Sequence, residues 1–365
     1  MHPSPGTWLD RRGRERAAGP HGPRKRRAAA GALALAATVA GLAACSDEPS
    51  ATPAANNTAA TTTIARPCDD DGVVALLGWD RAELRNQPEV VAVSAGGEAR
   101  SVSGDWVAPD GAMAADGTVV LVRADGDYES AGPETETLWV RPADGSEPRR
   151  LTGGPNDTAP AISPDGEDVA FVQLEWNADA LRYRVARVPI DGGEVVGATP
   201  WQDDARVVDV AWSPDGERLA YLRWPDDGDS DRSQVELWLV EGDGGAPRRV
   251  AIVADGNWVT WGGDTLLVGT RAGEAGTILQ VDLADGAVET ITDEGTAPAL
   301  APDGDGLAYL VYRQERASGN VVGDITIWQL TVGRIVEGRV EAGRDLLRNI
   351  GYLYPNVGVS AGTCL

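Results

Sequence analysis

Short apolar segments alternate with glycine-rich polar turns over residues 68–365. The pattern is clearest in AISPDGEDVAF at 161–171 and AWSPDGERLAY at 211–221, where a short apolar strand ends in Ser-Pro-Asp-Gly and a second strand follows directly. Proline presets φ in such a turn, aspartate caps it through its side chain, and glycine takes the left-handed conformation that a three-residue hairpin with a bulge requires. The pattern therefore predicts a β-hairpin that is repeated along the chain.

Related hairpins recur about every 40 to 50 residues. Their turn glycines are Gly72, Gly117, Gly166, Gly216, Gly263 and Gly304. A second kind of hairpin lies between them, of which TLWVRPADGSEPRRLT at 137–152 is an example. Each unit thus holds four short strands, and units of four strands at this period are typical of a β-propeller. We predict an all-β fold, a propeller of six four-stranded antiparallel blades.

The first unit lacks its first strand, because the sequence enters directly into the apolar residues 73–77. We expect the C-terminal segment PNVGVS at 355–360 to supply that strand and close the ring, which would leave no open sheet edge. Cys68 and Cys364 would then lie side by side, and in an oxidising compartment they are expected to form a disulfide. Closure of so long a loop contributes about 4 to 5 kcal/mol on the chain-entropy model.

The SPDG turn, the V-A-F or L-A-Y strand that follows it and the later R-R-L-T together resemble the TolB-type propeller repeat. The resemblance covers residues 68–365 and is most specific in the third and fourth units. It implies a six-bladed propeller.

Residues 1–44 differ from the rest of the chain. A basic segment precedes an apolar run of small residues, which is the pattern of a secretion signal. The run ends in Leu-Ala-Ala-Cys at 42–45, which resembles the lipobox of bacterial lipoproteins and implies acylation of Cys45 and removal of residues 1–44. An ordinary secreted protein is the alternative, and the sequence leaves Sec or twin-arginine export open. Residues 45–67 are rich in Ser, Thr, Ala and Pro, and we expect a flexible tether to the bacterial cell membrane, on its extracytoplasmic side.

Charge narrows the function classes. The chain carries −24, and removal of residues 1–44, which carry +6, leaves −30. Nucleic-acid binding is excluded, because a body of this charge repels phosphates. Both histidines and the one lysine lie within residues 1–44, so that the remaining chain can form neither a Ser-His-Asp triad nor a Schiff-base lysine. No cofactor is predicted.

Long polar loops between the second and third strands of each unit are expected on the face opposite the Asp-Gly turns. Six tryptophans lie in or beside the loops of this face, and aromatic rings among carboxylates suit sugars, cationic groups or a protein partner. The alternative is that these rings only cover loop ends. The predicted ligand face comprises Trp79, Trp106, Trp176, Trp201, Trp224 and Trp258, with Asp226, Asp227, Asp229 and Asp231.

The spacing of Asp227, Asp229 and Asp231 resembles a calcium loop, but Arg232 stands where glycine is required and no glutamate occupies the twelfth position. Zinc lacks histidine and free cysteine ligands. We therefore predict no metal site.

These observations predict a monomeric, non-catalytic lipoprotein of the cell envelope, whose propeller binds or scaffolds a protein partner or a cell-wall glycan. The alternative is a carboxylate-dependent glycan-active enzyme. An adjacent pair of buried carboxylates in the central channel would favour the enzyme.

Overall fold

The computed structural model describes residues 73–80, 88–125, 135–154, 156–177, 180–225, 234–270, 276–301, 304, 306–316, 324–350 and 359–361. Cys45, Cys68 and Cys364 lie outside these ranges, and so do the signal segment and the tether. Within them the regular structure consists of β-strands without a helix. The predicted all-β class is confirmed.

The described strands form antiparallel meanders of four strands, which we call blades and number in chain order. Blades 2 and 3 are joined in one sheet by a single parallel pair, Glu136 opposite Asn156. Blade 1 combines the C-terminal strand with three strands from the start of the domain: β24 (Val359–Ala361), β1 (Val73–Asp80), β2 (Pro88–Ser94) and β3 (Ala99–Ser101). Blade 2 comprises β4 (Gly111–Met113), β5 (Val119–Asp125), β6 (Thr135–Arg141) and β7 (Arg149–Arg150). Blade 3 comprises β8 (Asn156–Ile162), β9 (Asp168–Asn177), β10 (Ala180–Pro189) and β11 (Val196–Gly197).

The remaining strands continue the same order. Blade 4 comprises β12 (Ala205–Trp212), β13 (Arg218–Pro225), β14 (Gln234–Glu241) and β15 (Arg248–Ala254). Blade 5 comprises β16 (Gly256–Gly262), β17 (Thr265–Thr270), β18 (Ile278–Val281) and β19 (Val288–Thr292). Blade 6 comprises β20 (Thr296–Leu300), β21 (Gly306–Arg316), β22 (Asp324–Val336) and β23 (Arg339–Ile350).

The ring is closed by the C-terminal strand, as predicted. β24 pairs antiparallel with β1, with Leu76 opposite Ser360. The pairing strand begins at Val359, four residues later than the start of the segment that the sequence suggested. Ala75 and Leu77 of blade 1 pack in one buried cluster with Ala308 of blade 6.

The hydrophobic core lies between neighbouring blades. Phe171 of blade 3, for example, is fully buried and shares a cluster with Leu138 of blade 2, while Leu76 of blade 1 packs with Leu121 of blade 2. Corresponding clusters join blades 3 and 4, blades 4 and 5, blades 5 and 6, and blades 6 and 1. Burial of these side chains stabilises each blade only against its neighbours, so that the closed ring is the folding unit.

The Ser-Pro-Asp-Gly turns have the predicted chemistry. Ser213 donates a hydrogen bond to Asp215, and its hydroxyl oxygen accepts one from the Arg218 amide at 2.9 Å. Asp215 also accepts a bond from the amide of Glu217 at 3.0 Å, and Gly216 has φ of 73°. The aspartate is therefore occupied by the turn itself, which is a structural role.

Candidate active site

The first strands of blades 2 to 6 enclose a central cavity of about 610 Å³. Its wall combines apolar residues, among them alanines, prolines and tryptophans, with charged and polar ones. Each of these strands begins at the loop-bearing face and ends at a tight turn. The cavity therefore extends from Asp110 and Trp258, near the starts of their strands, to Ala115 and Pro164 in the turns.

One position of the repeat carries different side chains in different blades. Seven residues before the turn glycine, blade 2 has Asp110, blade 3 has Ala159, blade 4 has Asp209 and blade 6 has Ala297. In blade 5, which has a shorter turn, alignment of the inner-strand tryptophans places Trp258 here. We call this set the ring position. Four of its five members line the cavity, and Ala297 does not.

The backbone turns the ring position toward the cavity through a β-bulge. In blade 4 the pairing register shifts between Val207 and Asp209, and equivalent shifts occur in blades 3, 5 and 6. A bulge places two residues opposite one and changes the direction of a side chain. Ala159 and Ala297 have φ of 49° and 47°, in the left-handed region. A bulge thus accompanies the cavity-lining residue in blades 3, 4 and 5, whereas Asp110 precedes β4, which pairs with β5 without a register shift.

Asp209 is held by the backbone of two blades. Its Oδ1 accepts a hydrogen bond from the amide of Val210 at 2.9 Å, and its Oδ2 accepts one from the amide of Val259 in blade 5 at 2.7 Å. The second bond fixes the carboxyl group next to Trp258. Both oxygens are thereby oriented, while part of the side chain faces the cavity.

Asp110 stands directly before β4, and its Oδ1 accepts a hydrogen bond from the amide of Gly111 at 2.7 Å. Burial raises the pKa of this carboxyl from 3.8 to about 7. The bond from Gly111 opposes that shift, and the charge of Glu136, which also lines the cavity, adds to it. The neutral form of Asp110 therefore persists at pH values well above the usual pKa of an aspartate.

The charge of Asp110 acts on Asp209. Burial raises the pKa of Asp209 from 3.8 to about 8, against the bond from Val259, and the charge of Asp110 raises it further. Groups coupled in this way titrate as a pair. Near pH 7.5 the pair holds about one proton, so that it offers one acid and one base within the same cavity.

Five of the six predicted tryptophans have described side chains, and these five lie in different surroundings. Three of them are covered by the chain's own arginines: Trp106 by Arg123 at 4.8 Å, Trp201 by Arg182 at 4.5 Å, and Trp224 by Arg206 at 5.5 Å from the ring centroid. Their cation–π faces are thereby engaged within the propeller.

The other three lie in different surroundings. Trp176 at the end of β9 is 70% exposed, and Trp258 lines the cavity. The backbone of Trp79 belongs to β1 and lies opposite Glu89. The acidic loop residues Asp226, Asp227, Asp229 and Asp231 lie outside the described residues.

Asp110 and Asp209 were not among the predicted site residues. The prediction used only the apolar residues and the turns of the repeat. A signal was nevertheless present, since carboxylates at one repeat position, seven residues before Gly117 and Gly216, interrupt otherwise apolar inner strands. Repeat-equivalent residues of a ring point toward the same axis, which brings together groups that are 99 positions apart in the chain.

Among the described residues, no three or more His, Cys, Asp or Glu side chains are grouped so as to hold a metal ion. In the same part of the chain we find no helical segment with the length and apolar character that a bilayer crossing requires.

No protein-family model matches the chain. Among curated proteins, the uncharacterized peptidase YuxL of Bacillus subtilis (strain 168) is 28% identical over 125 residues, which are 33% of this chain and 18% of the relative. The chain thus matches less than a fifth of that protein's length.

Two solved structures show the fold. TolB from Acinetobacter baumannii aligns with a TM-score of 0.54 at 16% identity, over 80% of this chain and 67% of that chain. The putative TolB from Agrobacterium tumefaciens aligns with a TM-score of 0.51 at 18% identity, over 80% of this chain and 94% of that chain.

The prediction of a non-catalytic binding or scaffolding module is contradicted by these findings. The curated relative is named as a peptidase, and two partly exposed carboxyl groups, those of Asp110 and Asp209, line the central cavity. That prediction considered only the loop residues and treated the inner strands, which carry Asp209, as core. The described part of the chain has the fold of a TolB-like β-propeller.

Proposed function

We propose that this protein is a hydrolase of amide bonds, whose active site is the Asp110–Asp209 pair in the central cavity. The carrying observation is that two carboxyl groups with pKa values of about 7 and about 8 line one cavity, and that the charge of Asp110 raises the pKa of Asp209. Perturbed pairs of this kind are a signature of acid–base catalysis. The choice of an amide substrate rests on the similarity to a peptidase.

The pair can carry out hydrolysis without another group. When one carboxyl group is protonated and the other is ionised, the ionised carboxylate takes a proton from water, and the resulting hydroxide attacks the carbonyl carbon. The protonated carboxyl then gives its proton to the amide nitrogen as the carbon–nitrogen bond breaks, and the products are a carboxylic acid and an amine. Each proton transfer of this type contributes about 10²- to 10⁴-fold to the rate.

The composition of the chain supports the assignment of the acid–base role to carboxylates. No histidine follows His21 and no lysine follows Lys25. The usual neutral-pH acid–base groups are therefore missing from the propeller sequence. Burial gives two aspartates the pKa range that a histidine would otherwise supply.

The test is a pH–rate profile of the purified propeller on fluorescently labelled casein and on amino-acid p-nitroanilides. We expect a bell-shaped profile with an optimum near pH 7.5, set by the two pKa values. Asp110→Asn and Asp209→Asn should each lower kcat by at least about 10²-fold. Asp165→Asn, in an exposed turn, is the matched control and should leave kcat unchanged.

Three results would count against the proposal. The first is a lack of turnover of every amide tested, and the second is turnover that persists in both active-site variants. The third is a pH–rate profile without an inflection between pH 6 and pH 9. Hydrolysis of aryl glycosides alone would contradict the amide assignment while leaving the carboxylate pair in place.

We further infer that the propeller is held outside the cytoplasm by a lipid on Cys45, with residues 46–67 as tether. The Leu-Ala-Ala-Cys sequence at 42–45 supports this placement. Metabolic labelling with an alkyne palmitate should tag the wild-type chain and not Cys45→Ala. Labelling of the variant to the same extent would overturn the assignment.

A disulfide between Cys68 and Cys364 is also proposed. Its support is the pairing of β24 with β1, because Cys68 precedes β1 by five positions and Cys364 follows β24 by three. Mass spectrometry of the oxidised, proteolysed chain should recover the two peptides as one linked species. Free thiols at both positions in protein exported from cells would contradict it.

A further inference from the structure

The ring position differs in size and chemistry from blade to blade, and its order around the ring is fixed by the packing of neighbouring blades. Asp110 in blade 2 and Asp209 in blade 4 flank Ala159 of blade 3, since blade 3 packs against both neighbours. Trp258 of blade 5 follows Asp209 directly, because Asp209 accepts a hydrogen bond from the adjacent amide of Val259 at 2.7 Å.

Ala159 is the small member of this arc. It is partly exposed and lines the cavity, whereas Ala297, its counterpart in blade 6, is fully buried. The methyl group of Ala159 packs against the buried cluster of blades 3 and 4 and fills less of the cavity than the side chains of Asp110 and Asp209 on either side. We call the part of the cavity over Ala159 the recess. A larger side chain at this position would fill the recess from within.

Charge along the cavity wall restricts what can enter. Asp110, Glu136 and Asp209 line it, and the guanidinium of Arg206, also in the wall, lies 5.5 Å from the centre of the Trp224 ring. A carboxylate brought into this low-dielectric space meets like charges, and the repulsion is stronger there than in water. The ring of Trp258 offers an apolar or cation-binding surface beside the recess.

From this arrangement we propose that Ala159 and Trp258 determine substrate specificity: the scissile amide lies over Ala159, and a bulky uncharged or basic side chain lies against Trp258. Amides whose side chain bears a carboxylate are rejected. This inference rests on the proposed hydrolase activity, but the binding preferences that it predicts can be measured without turnover.

Binding is tested with three amides that share a free amine and differ in the side chain: leucinamide, lysinamide and glutamic acid α-amide. We expect leucinamide and lysinamide to bind the intact propeller, by calorimetry, at least about tenfold more tightly than glutamic acid α-amide. Trp258→Leu, which keeps an apolar side chain, should weaken lysinamide binding more than leucinamide binding.

The recess is tested by Ala159→Leu, with Ala115→Leu as the matched control. Ala115 is exposed at the opposite end of the cavity, in the turn of blade 2, so that both variants introduce the same side chain but only Ala159→Leu introduces it at the recess. Ala159→Leu should lower leucinamide affinity at least about tenfold, and Ala115→Leu should not. A thermal unfolding curve shows whether Ala159→Leu is folded, and Ala159→Ser gives a smaller, graded addition if it is not.

The outcomes separate this inference from the proposed function. Binding with the expected preferences but without hydrolysis of the corresponding p-nitroanilides would overturn the proposed hydrolase activity. It would still support the roles of Ala159 and Trp258 in ligand recognition. Hydrolysis that prefers the glutamate p-nitroanilide, or equal effects of Ala159→Leu and Ala115→Leu, would overturn the inference and leave the hydrolase standing. Failure of all three amides to bind would overturn the proposed roles of Ala159 and Trp258 in ligand recognition.

Discussion

At the residue scale, Asp110 couples the site to stability. Its folded-state pKa of about 7 lies above the value of 3.8 expected in the unfolded chain. Between these values the folded state retains a proton that the unfolded state has lost, so that the free energy of unfolding decreases as pH rises from about 4 to about 7. Asp110→Asn keeps an oxygen for the Gly111 amide and removes the charge. We expect the melting temperature of this variant to exceed that of the wild type by at least about 2 to 4 °C at pH 8. At pH 4 we expect the two melting temperatures to be the same.

Asp165 supplies a control of opposite sign. The Ser163 hydroxyl and the Glu167 amide lower the pKa of this carboxyl below 3.8, and a lowered folded-state pKa stabilises the folded protein above the unfolded pKa. Asp165→Asn should therefore lower the melting temperature at pH 8 and have little effect at pH 3. Equal responses of the two variants to pH would show that net charge, and not local burial, sets both.

At the element scale, the hairpin of blade 4 depends on Ser213, which is completely buried and bonds both Asp215 and the amide of Arg218. Ser213→Ala leaves that amide without its side-chain acceptor. We expect a loss of about 1 to 3 kcal/mol in the free energy of unfolding, measured by urea denaturation with an unchanged slope. Blade 2 has Ala114 at the equivalent position, so that Ala114→Gly, which removes no hydroxyl, is the comparison. An effect of Ser213→Ala no larger than that of Ala114→Gly would contradict the role of the hydroxyl.

The elements were more predictable from sequence than the site. Turn type depends on a few adjacent residues, and the Ser-Pro-Asp-Gly segments therefore predict their hairpins from local sequence alone. The coupling of Asp110 with Asp209 depends on the packing of blade 3 between blades 2 and 4, which no local pattern expresses. The same limit explains Trp106 and Trp201, whose rings are covered by arginines from neighbouring strands of the sheets.

At the scale of the whole molecule, closure of the ring rests on a three-residue strand. β24 covers the edge of β1, and its removal would expose that edge to pairing with other chains. Deletion of residues 359–365 should lower the melting temperature by more than 10 °C, or roughly 3 kcal/mol or more for a domain of this size, and cause aggregation in size-exclusion chromatography. Deletion of residues 362–365 alone, under reducing conditions, is the control and should leave a monomer. A stable monomer after the longer deletion would show that the ring does not need this strand.

The carboxylate pair itself is tested most directly by carbon-13 NMR. In the propeller labelled at aspartate side-chain carboxyls, Asp110→Asn and Asp209→Asn assign the two signals, and their chemical shifts are followed from pH 3 to pH 10. We predict inflections near pH 7 and pH 8 in the wild type. Asp110→Asn should lower the pKa of Asp209, because the charge of Asp110 disfavours ionisation of Asp209. Two independent inflections near pH 4 would contradict an acid–base pair in the central cavity, and with it the proposed hydrolase.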